Sequence, residues 1–167
     1  MTYPPLAIEI NKLRSLLRYD EQSGHLYWVG KSHPRSPIKI GALAGQEKGG
    51  YIYIGIMGKK LLAHRIAWAI KTGKWPTKII DHKDLNGANN RWANLRLATR
   101  SQNRANSSTK RTLPKGVYKN SNSNNYSAVI IHNYHRLHLG TFHSVAAASA
   151  AYMQAANKFH NEFARAK

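Results

Sequence analysis

The sequence predicts an α+β fold in two parts, and three observations carry that prediction. Short runs of β-branched and aromatic residues read as strands: Tyr51-Ile52-Tyr53-Ile54-Gly55-Ile56 and Tyr126-Ser127-Ala128-Val129-Ile130-Ile131 are the clearest. Helical patterns are short, apart from an Ala-rich run from Val145 to about Lys158. Between two halves of different pattern lies a polar, basic stretch, Ser107-Ser108-Thr109-Lys110-Arg111, ending near Pro114. The expected domains are therefore residues 1–106 and 115–167, joined by a linker at 107–114.

The first half is expected to be rich in strands. Ile8, Leu13, Leu16 and Leu17 form an apolar stripe, so residues 1–18 read as a short helix after Pro4-Pro5. Tyr19 to Gly24 reads as a turn, and His25 to Val29 as the returning strand. Residues 30–41, with two Pro and scattered Lys and Arg, read as a loop. Gly49-Gly50 lead into the strand Tyr51–Ile56, and Gly58-Lys59 is a turn into Lys60-Leu61-Leu62. Leu62, Ile66, Ala69 and Ile70 share one helical face, and Gly73 marks the stop of a helix from Ala63 to Lys71. His64 and Arg65 open that helix, either to contact phosphate or support a site, or as a capping or core-edge pair.

Then comes the stretch that concentrates the chemistry, IIDHKDLNGANNRWANLRLATRSQN from Ile79 to Asn103. Ile79-Ile80 begin a strand that arrives at Asp81-His82. Asn86-Gly87 is a strong turn signal. Asn89-Asn90 cap a single helical turn over Arg91-Trp92-Ala93, Asn94 to Ala98 is a second strand, and Thr99 caps a helix from Arg100 to about Asn106. In the second half, three strands are expected at Gly116–Lys119, Tyr126–Ile131 and Arg136–Gly140. The Ala-rich helix follows.

Charge narrows the function. The 167 residues carry 26 Lys and Arg against 7 Asp and Glu, a net charge of +19, which is the field of a polyanion binder. A membrane surface is the plainer partner for such a charge, but no long basic amphipathic helix and no apolar run of ~20 residues is present. The N-terminus lacks the layout of a signal peptide. With no Cys there is neither a disulfide framework nor a thiolate zinc site, which fits a reducing compartment. His132, His135 and His138 are spaced on a turn and strand, unlike a helical zinc pair.

Acids are scarce enough to be informative. From Gly58 to Lys167 there are 19 Lys and Arg but only 3 acids, Asp81, Asp84 and Glu162, and two of those flank His82. Hydrolysis of a phosphodiester needs an activated water, stabilisation of charge on phosphate, and help for the leaving oxygen. A neutral imidazole takes a proton from water. Asp81 offers a hard anionic oxygen and Asn103 an amide oxygen, both suited to Mg2+ or Mn2+. Asn94 is placed to accept a hydrogen bond from His82 and fix which ring nitrogen faces the water. Neighbours on a regular strand face opposite sides, so Asp81 and His82 share a site only if the chain bends there.

The stretch from Ile79 to Asn103 resembles the core of the HNH endonucleases with the ββα-metal fold. It is nearest to the phage and intron-encoded homing group, whose third motif residue is Asn. YDEQSGHLYW, GYIYI and LAHRIAW resemble that group too, so the likeness covers residues 19 to about 106. It implies metal ligands at Asp81 and Asn103, a general base at His82, and an orienting residue at Asn94. Asn90 matches a recurrent loop position of open role. One divalent metal is implied, with none of the zinc staples of some relatives.

Residues 115–164 resemble the plant apetala/ethylene-response-factor DNA-binding domain in Lys115-Gly116-Val117, Tyr126-Ser127-Ala128, Leu139-Gly140-Thr141-Phe142, the Ala-rich helix and Asn161-Glu162-Phe163-Ala164. That likeness implies a three-stranded antiparallel sheet laid in the DNA major groove and backed by one helix. Several sheet Arg and Trp positions of the plant pattern hold Asn, Ser, Tyr or His here, so bidentate base readout is thin and phosphate positioning is the plainer role.

Together these readings describe a metal-dependent endonuclease acting on double-stranded DNA. It would work as a monomer or DNA-assembled dimer, in the cytoplasm of the host of a phage or mobile element. The expected DNA contacts are His64, Arg65, Arg91, Arg96, Arg100, Arg104, Lys115, Lys119, Tyr126, Arg136 and His138, with His132 and Tyr134 as further candidates on the sheet. The alternatives are a non-enzymatic DNA-binding protein on a relic HNH fold, against which the intact set Asp81, His82, Asn94 and Asn103 argues, and an RNA-binding protein.

Overall fold

Why the first helix ends early is visible in its backbone. A computed structural model describes residues 8–31, 33–107 and 112–165, so of the helix expected over residues 1–18 the part at 1–7 lies outside the described residues. Helix α1 (Ile10–Leu16) buries Leu13 and Leu16, and the chain turns extended at Leu17, with φ −134° and ψ 137°. Strand β1 (Leu17–Tyr19) then pairs antiparallel with β2 (Leu26–Trp28), Leu17 opposite Trp28 and Tyr19 opposite Leu26. Asp20 closes the turn between them, accepting from the Gln22 N–H at 3.0 Å and the Ser23 hydroxyl at 2.9 Å.

A second sheet has the order β3 (Gln46–Lys48), β4 (Tyr51–Ile56), β5 (Lys59–Leu62), all antiparallel neighbours. The hairpin turn Gly49-Gly50 has φ of 60° and 77°, the left-handed pair that matches strand twist. Strand β3 was not evident in the sequence because all three of its residues are exposed and charged or polar, so it shows no alternation. Helix α2 (Ala63–Thr72) buries Ile66, Ala67 and Ala69 completely and stops at Gly73 as expected. These elements close on one core, whose largest members include Leu13, Leu16, Leu17, Leu26, Ile54, Ile56 and Ile66. Each such side chain contributes about 1.5–3 kcal/mol by leaving water. Strand β6 (Ile79–His82) carries Ile80 into this core and pairs with β7 (Leu95–Ala98), with a 3-10 turn at Trp92–Asn94 just before β7.

The chain divides into two compact units between Leu97 and Ala98. In the second, Thr99 caps α3 (Arg100–Asn106) through a reciprocal bond pair with Gln102, as the sequence predicts. Strands β8 (Val117–Lys119), β9 (Tyr126–His132) and β10 (His135–Phe142) form an antiparallel sheet in the order β10-β9-β8. Helix α4 (Val145–His160) covers one face. Its small residues Ala148 and Ala156 are fully buried against Val117, Ala128 and Ile130. Helix α3 belongs to this unit for a packing reason. Ala105 clusters with Ala98 and Phe163, and the Arg165 Nε donates to Asn106 Oδ1 at 2.7 Å. The sequence grouped α3 with the first half; the compact units part before it. The linker expected at 107–114 lies partly outside the described residues.

Candidate active site

Strand β6 delivers two polar side chains into the interior. Asp81 and His82 are both buried, which demands partners for each. Asp81 Oδ2 accepts from Arg96 Nε at 2.8 Å, an ion pair whose partners are both buried. His82 Nε2 lies 3.2 Å from Asn90 Oδ1. An amide oxygen only accepts, so the imidazole donates through Nε2–H, and the proton-accepting role falls to Nδ1. The strand stays regular through His82, and the bend follows it, with the Leu85 N–H donating to the His82 carbonyl at 3.0 Å.

The loop after β6 is held by its own side chains. Asp84 Oδ1 accepts from the Asn86 N–H and from Asn94 Nδ2, each at 2.9 Å, and Oδ2 accepts from Asn89 Nδ2 at 2.6 Å. Burial pushes the Asp84 carboxyl up, but these bonds prevail and hold it below its ordinary range. Asn94 completes the lattice. Its Nδ2 also donates to the Asn89 carbonyl at 2.8 Å, its Oδ1 accepts from the Asp84 N–H at 3.0 Å, and its carbonyl accepts from the Lys83 N–H at 2.9 Å.

Asn90 is clamped from the N-terminal hairpin. The Tyr19 hydroxyl donates to the Asn90 carbonyl at 2.7 Å, and the Trp92 N–H donates to the Glu21 carbonyl at 3.0 Å. Burial in this contact raises the Tyr19 phenol above its ordinary range, with Glu21 and Asp20 adding to it. Gly24, at φ +79°, sits so close that a Cβ there would lie 2.5 Å from the Asn90 carbonyl carbon. Gly87 is the counterpart on the loop, where a Cβ would meet the Tyr51 ring and the Gly50 carbonyl at 2.5 Å.

Two rings pack against His82. The His64 ring meets it edge-on, with centroids 4.9 Å apart and planes at 83°. Tyr51 lies 6.0 Å from His82 and 5.9 Å from His64, both edge-on. Burial pushes the His64 imidazole down to about 3, with His82 and Arg65 adding to the effect, so His64 is neutral at neutral pH.

These positions revise several expectations. The amide that reaches His82 is that of Asn90, while Asn94 spends its side chain on Asp84 and Asn89. Eight residues separate Asn90 from His82, and the Asn-rich loop gave the signal without saying which Asn. Arg96 was expected on DNA but is buried on Asp81. His64 is enclosed by rings, and Arg65 is buried with Nη2 donating to the Pro76 carbonyl at 3.2 Å. Lys115 donates through Nζ to the carbonyls of Arg104, Ala105 and Ser107 at 2.5–2.7 Å, capping α3. Tyr126 packs into the core beneath α4. These five side chains are turned inward, which takes them from the expected DNA surface.

Other expected residues lie at the surface. Arg91, Arg100 and Arg104 are exposed, and Asn103 is half-buried on α3 in the second unit. On the small sheet, cross-strand pairing puts Tyr118, Ser127 and Thr141 on one row, Val129 with His138 on another, and Ile131 with Arg136 on a third. Strand alternation sets these on the face opposite α4, and the Arg136 guanidinium lies 5.7 Å over the Tyr118 ring. Lys119 pairs with the inward Tyr126 yet is exposed at the edge. His132 stacks on Phe159 with centroids at 4.6 Å, whereas Tyr134 is exposed in the turn.

Comparison with known proteins addresses the span that holds these groups. Residues 61–105 match the HNH endonuclease family. The matched span runs from the end of β5 to α3 and includes His64, Asp81, His82, Asn90, Asn94, Arg96 and Asn103. An uncharacterized HNH endonuclease of Acanthamoeba polyphaga mimivirus is 45% identical over 87 residues, which is 52% of this chain and 46% of that relative. The chain thus spans about half the length of the curated relative it matches. No solved structure matches it. Among the described residues, no helix is long and apolar enough to cross a membrane.

Proposed function

We propose that this protein is a metal-dependent DNA endonuclease in which His82 is the general base. The observation that carries the reading is the His82–Asn90 bond inside an HNH core, beside a buried carboxylate. It supports a fixed imidazole tautomer one residue along the strand from a buried carboxylate. The net charge of +19 supports a nucleic acid as the substrate.

Asp81 fits a hard divalent ion by its donor chemistry. It is a buried carboxylate with a guanidinium on one oxygen, the kind of oriented ligand that Mg2+ or Mn2+ takes together with waters and phosphate oxygens. Among the described residues no cluster of three His, Cys, Asp or Glu forms, so few protein ligands are on offer. Asp81 would hold the ion, with Asn103 as the second ligand that the family likeness assigns. When bound, such an ion neutralises phosphate charge and polarises the leaving oxygen.

The chain's own residues supply the rest. Asn90 holds the His82 ring with Nε2 protonated. Nδ1 takes a proton from water as the water oxygen bonds to phosphorus. The bond to the 3′ oxygen breaks and that oxygen takes a proton from solvent, leaving a 5′-phosphate and a 3′-hydroxyl. One such site in a chain suits nicking, and cutting both strands then needs a dimer or two successive events. The second unit would serve as a DNA-positioning module through the face bearing Arg136 and His138.

The test is cleavage of supercoiled plasmid DNA with Mg2+ or Mn2+. Relaxed or linear product from the native protein, and its loss in His82→Ala with DNA binding retained, is the expected result. Binding without cleavage under any divalent ion would overturn the reading in favour of a DNA-binding protein.

A further inference from the structure

The Asn90 bond is one contact of the His82 ring, and the His64 ring makes another. His64 is the second residue of α2 and is rigidly placed by a helix whose Ala63, Ile66, Ala67 and Ala69 are buried. The His64 side chain is itself 94% buried, as its 6% exposure shows. Its Nδ1 has no hydrogen-bond partner among the described residues. No hydrogen bond at that nitrogen therefore fixes the ring. What surrounds it is other rings, His82 at 4.9 Å and Tyr51 at 5.9 Å. Tyr51 is in turn backed by the loop, because Gly87 leaves no room for a Cβ between its backbone and that ring.

We propose that His64 is a positioning residue for His82, a flat wall that keeps the imidazole from rotating off Asn90. The inference deepens the endonuclease reading and rests on His82 being the base. Edge-on contact between rings fixes the angle of both planes, which a round aliphatic side chain does not. Being neutral, the His64 ring adds no charge beside the base. Rotation about the Cβ–Cγ bond of His82 would carry Nε2 from the Asn90 oxygen and move Nδ1 with it. The wall blocks that rotation. A displacement of the reacting group by about 1 Å costs on the order of 100-fold in rate.

Two measurements on the full chain test this. The first is nitrogen-15 NMR of the His82 imidazole without DNA, in the native protein, His64→Ala and His64→Phe. Native His82 and the Phe variant should show the Nε2–H tautomer, and the Ala variant an averaged pair of ring nitrogens. The second is single-turnover cleavage of plasmid DNA. His64→Ala should cut roughly 10–100-fold slower with DNA affinity unchanged, and His64→Phe should recover most of that loss. Added imidazole, which fills the space left by the deleted ring, should partly restore the Ala variant. A single His82 tautomer in folded His64→Ala, or native cutting by that variant, overturns the proposal. So does a His64→Phe variant that folds but cuts no better than Ala, because the nitrogen and not the wall would then matter. If the native protein does not cut at all, the nuclease reading fails, while the NMR arm still decides whether His64 holds the His82 ring.

Discussion

The carboxamide oxygen of Asn90 lies 3.2 Å from Nε2 of His82, and the imidazole donates to it. This assigns the tautomer to a loop residue rather than to the Asn at the start of the second strand. Asn90→Ala removes the acceptor and leaves the fold's Tyr19 bond, which goes to the backbone carbonyl. It is expected to slow cleavage about 10–100-fold, the usual cost of losing a partner that orients a catalytic ring. Asn90→Asp keeps an oxygen acceptor and should retain more activity. Single-turnover rates of the two variants, with DNA affinity measured alongside, check this.

Asn94 should behave differently. Its side chain makes three bonds within the loop and none to His82 is seen. Asn94→Ala leaves the Asp84 N–H and carboxylate short of partners, so the expected loss is about 1–3 kcal/mol in folding stability. Cleavage should fall as the loop loosens and Asn90 with it. Thermal unfolding separates the two Asn residues: Asn94→Ala should melt lower than Asn90→Ala.

How much of this was legible in the sequence depends on the kind of signal. The Ile79–Ala98 strands, the Thr99 cap and the Ala-rich helix were readable because local pattern and local structure coincide there. Strand β3 was not, since all of its side chains face water and only the hairpin pairing makes it a strand. The site was half legible. Asp81 and His82 stood out as rare acid and imidazole in a cationic chain. Which Asn turned toward His82 depended on Tyr19, Glu21 and Gly24, some seventy residues away, and no local rule reports that. The basic residues misled for a related reason. Arg96 and Lys115 look like phosphate binders in a chain of this charge, yet one neutralises a buried carboxylate and the other caps a helix.

Arg96 carries the next prediction. Arg96→Met removes the guanidinium from the buried Asp81 carboxylate, and breaking one side of such a pair costs about 3–5 kcal/mol. A divalent ion bound at Asp81 replaces part of that compensation. Adding Mg2+ or Mn2+ should therefore raise the melting temperature of Arg96→Met more than that of the native protein. The double variant Asp81→Asn, Arg96→Met should melt above Arg96→Met alone and lose the response to the ion. Equal ion responses in all three would remove Asp81 as a ligand.

His64 makes stability depend on acid. Its pKa is about 3 in the folded chain against an ordinary 6.5, so between those values the unfolded chain binds more protons. The contribution is fully present above pH 6.5 and is lost as pH falls toward 3. At about 1.4 kcal/mol per pH unit, bringing the protein to pH 4.5 costs roughly 3 kcal/mol through this ring. His64→Phe carries no such group. Its unfolding free energy should fall less steeply between pH 6.5 and 4.5 than that of the native protein, as urea titrations at both values will show.

The second unit allows phosphate contacts to be told from structural cations. Arg136 lies on the sheet face away from α4, with its guanidinium over Tyr118 and open to solvent. Lys115 has its ammonium on three carbonyls at the end of α3, and burial, with Arg104 and Arg165 adding, pushes its pKa down to about 8. If the exposed face meets the DNA backbone, Arg136→Ala removes one neutralised phosphate, and the slope of log affinity against log salt should fall by about 1. Lys115→Met removes a helix cap instead. It should lower the melting temperature while leaving the salt slope as it was. Fluorescence anisotropy on a short DNA duplex across salt concentrations reads both. A smaller slope in Lys115→Met with an unchanged slope in Arg136→Ala would mean that DNA engages the α3 end of this unit and not the open face of its sheet.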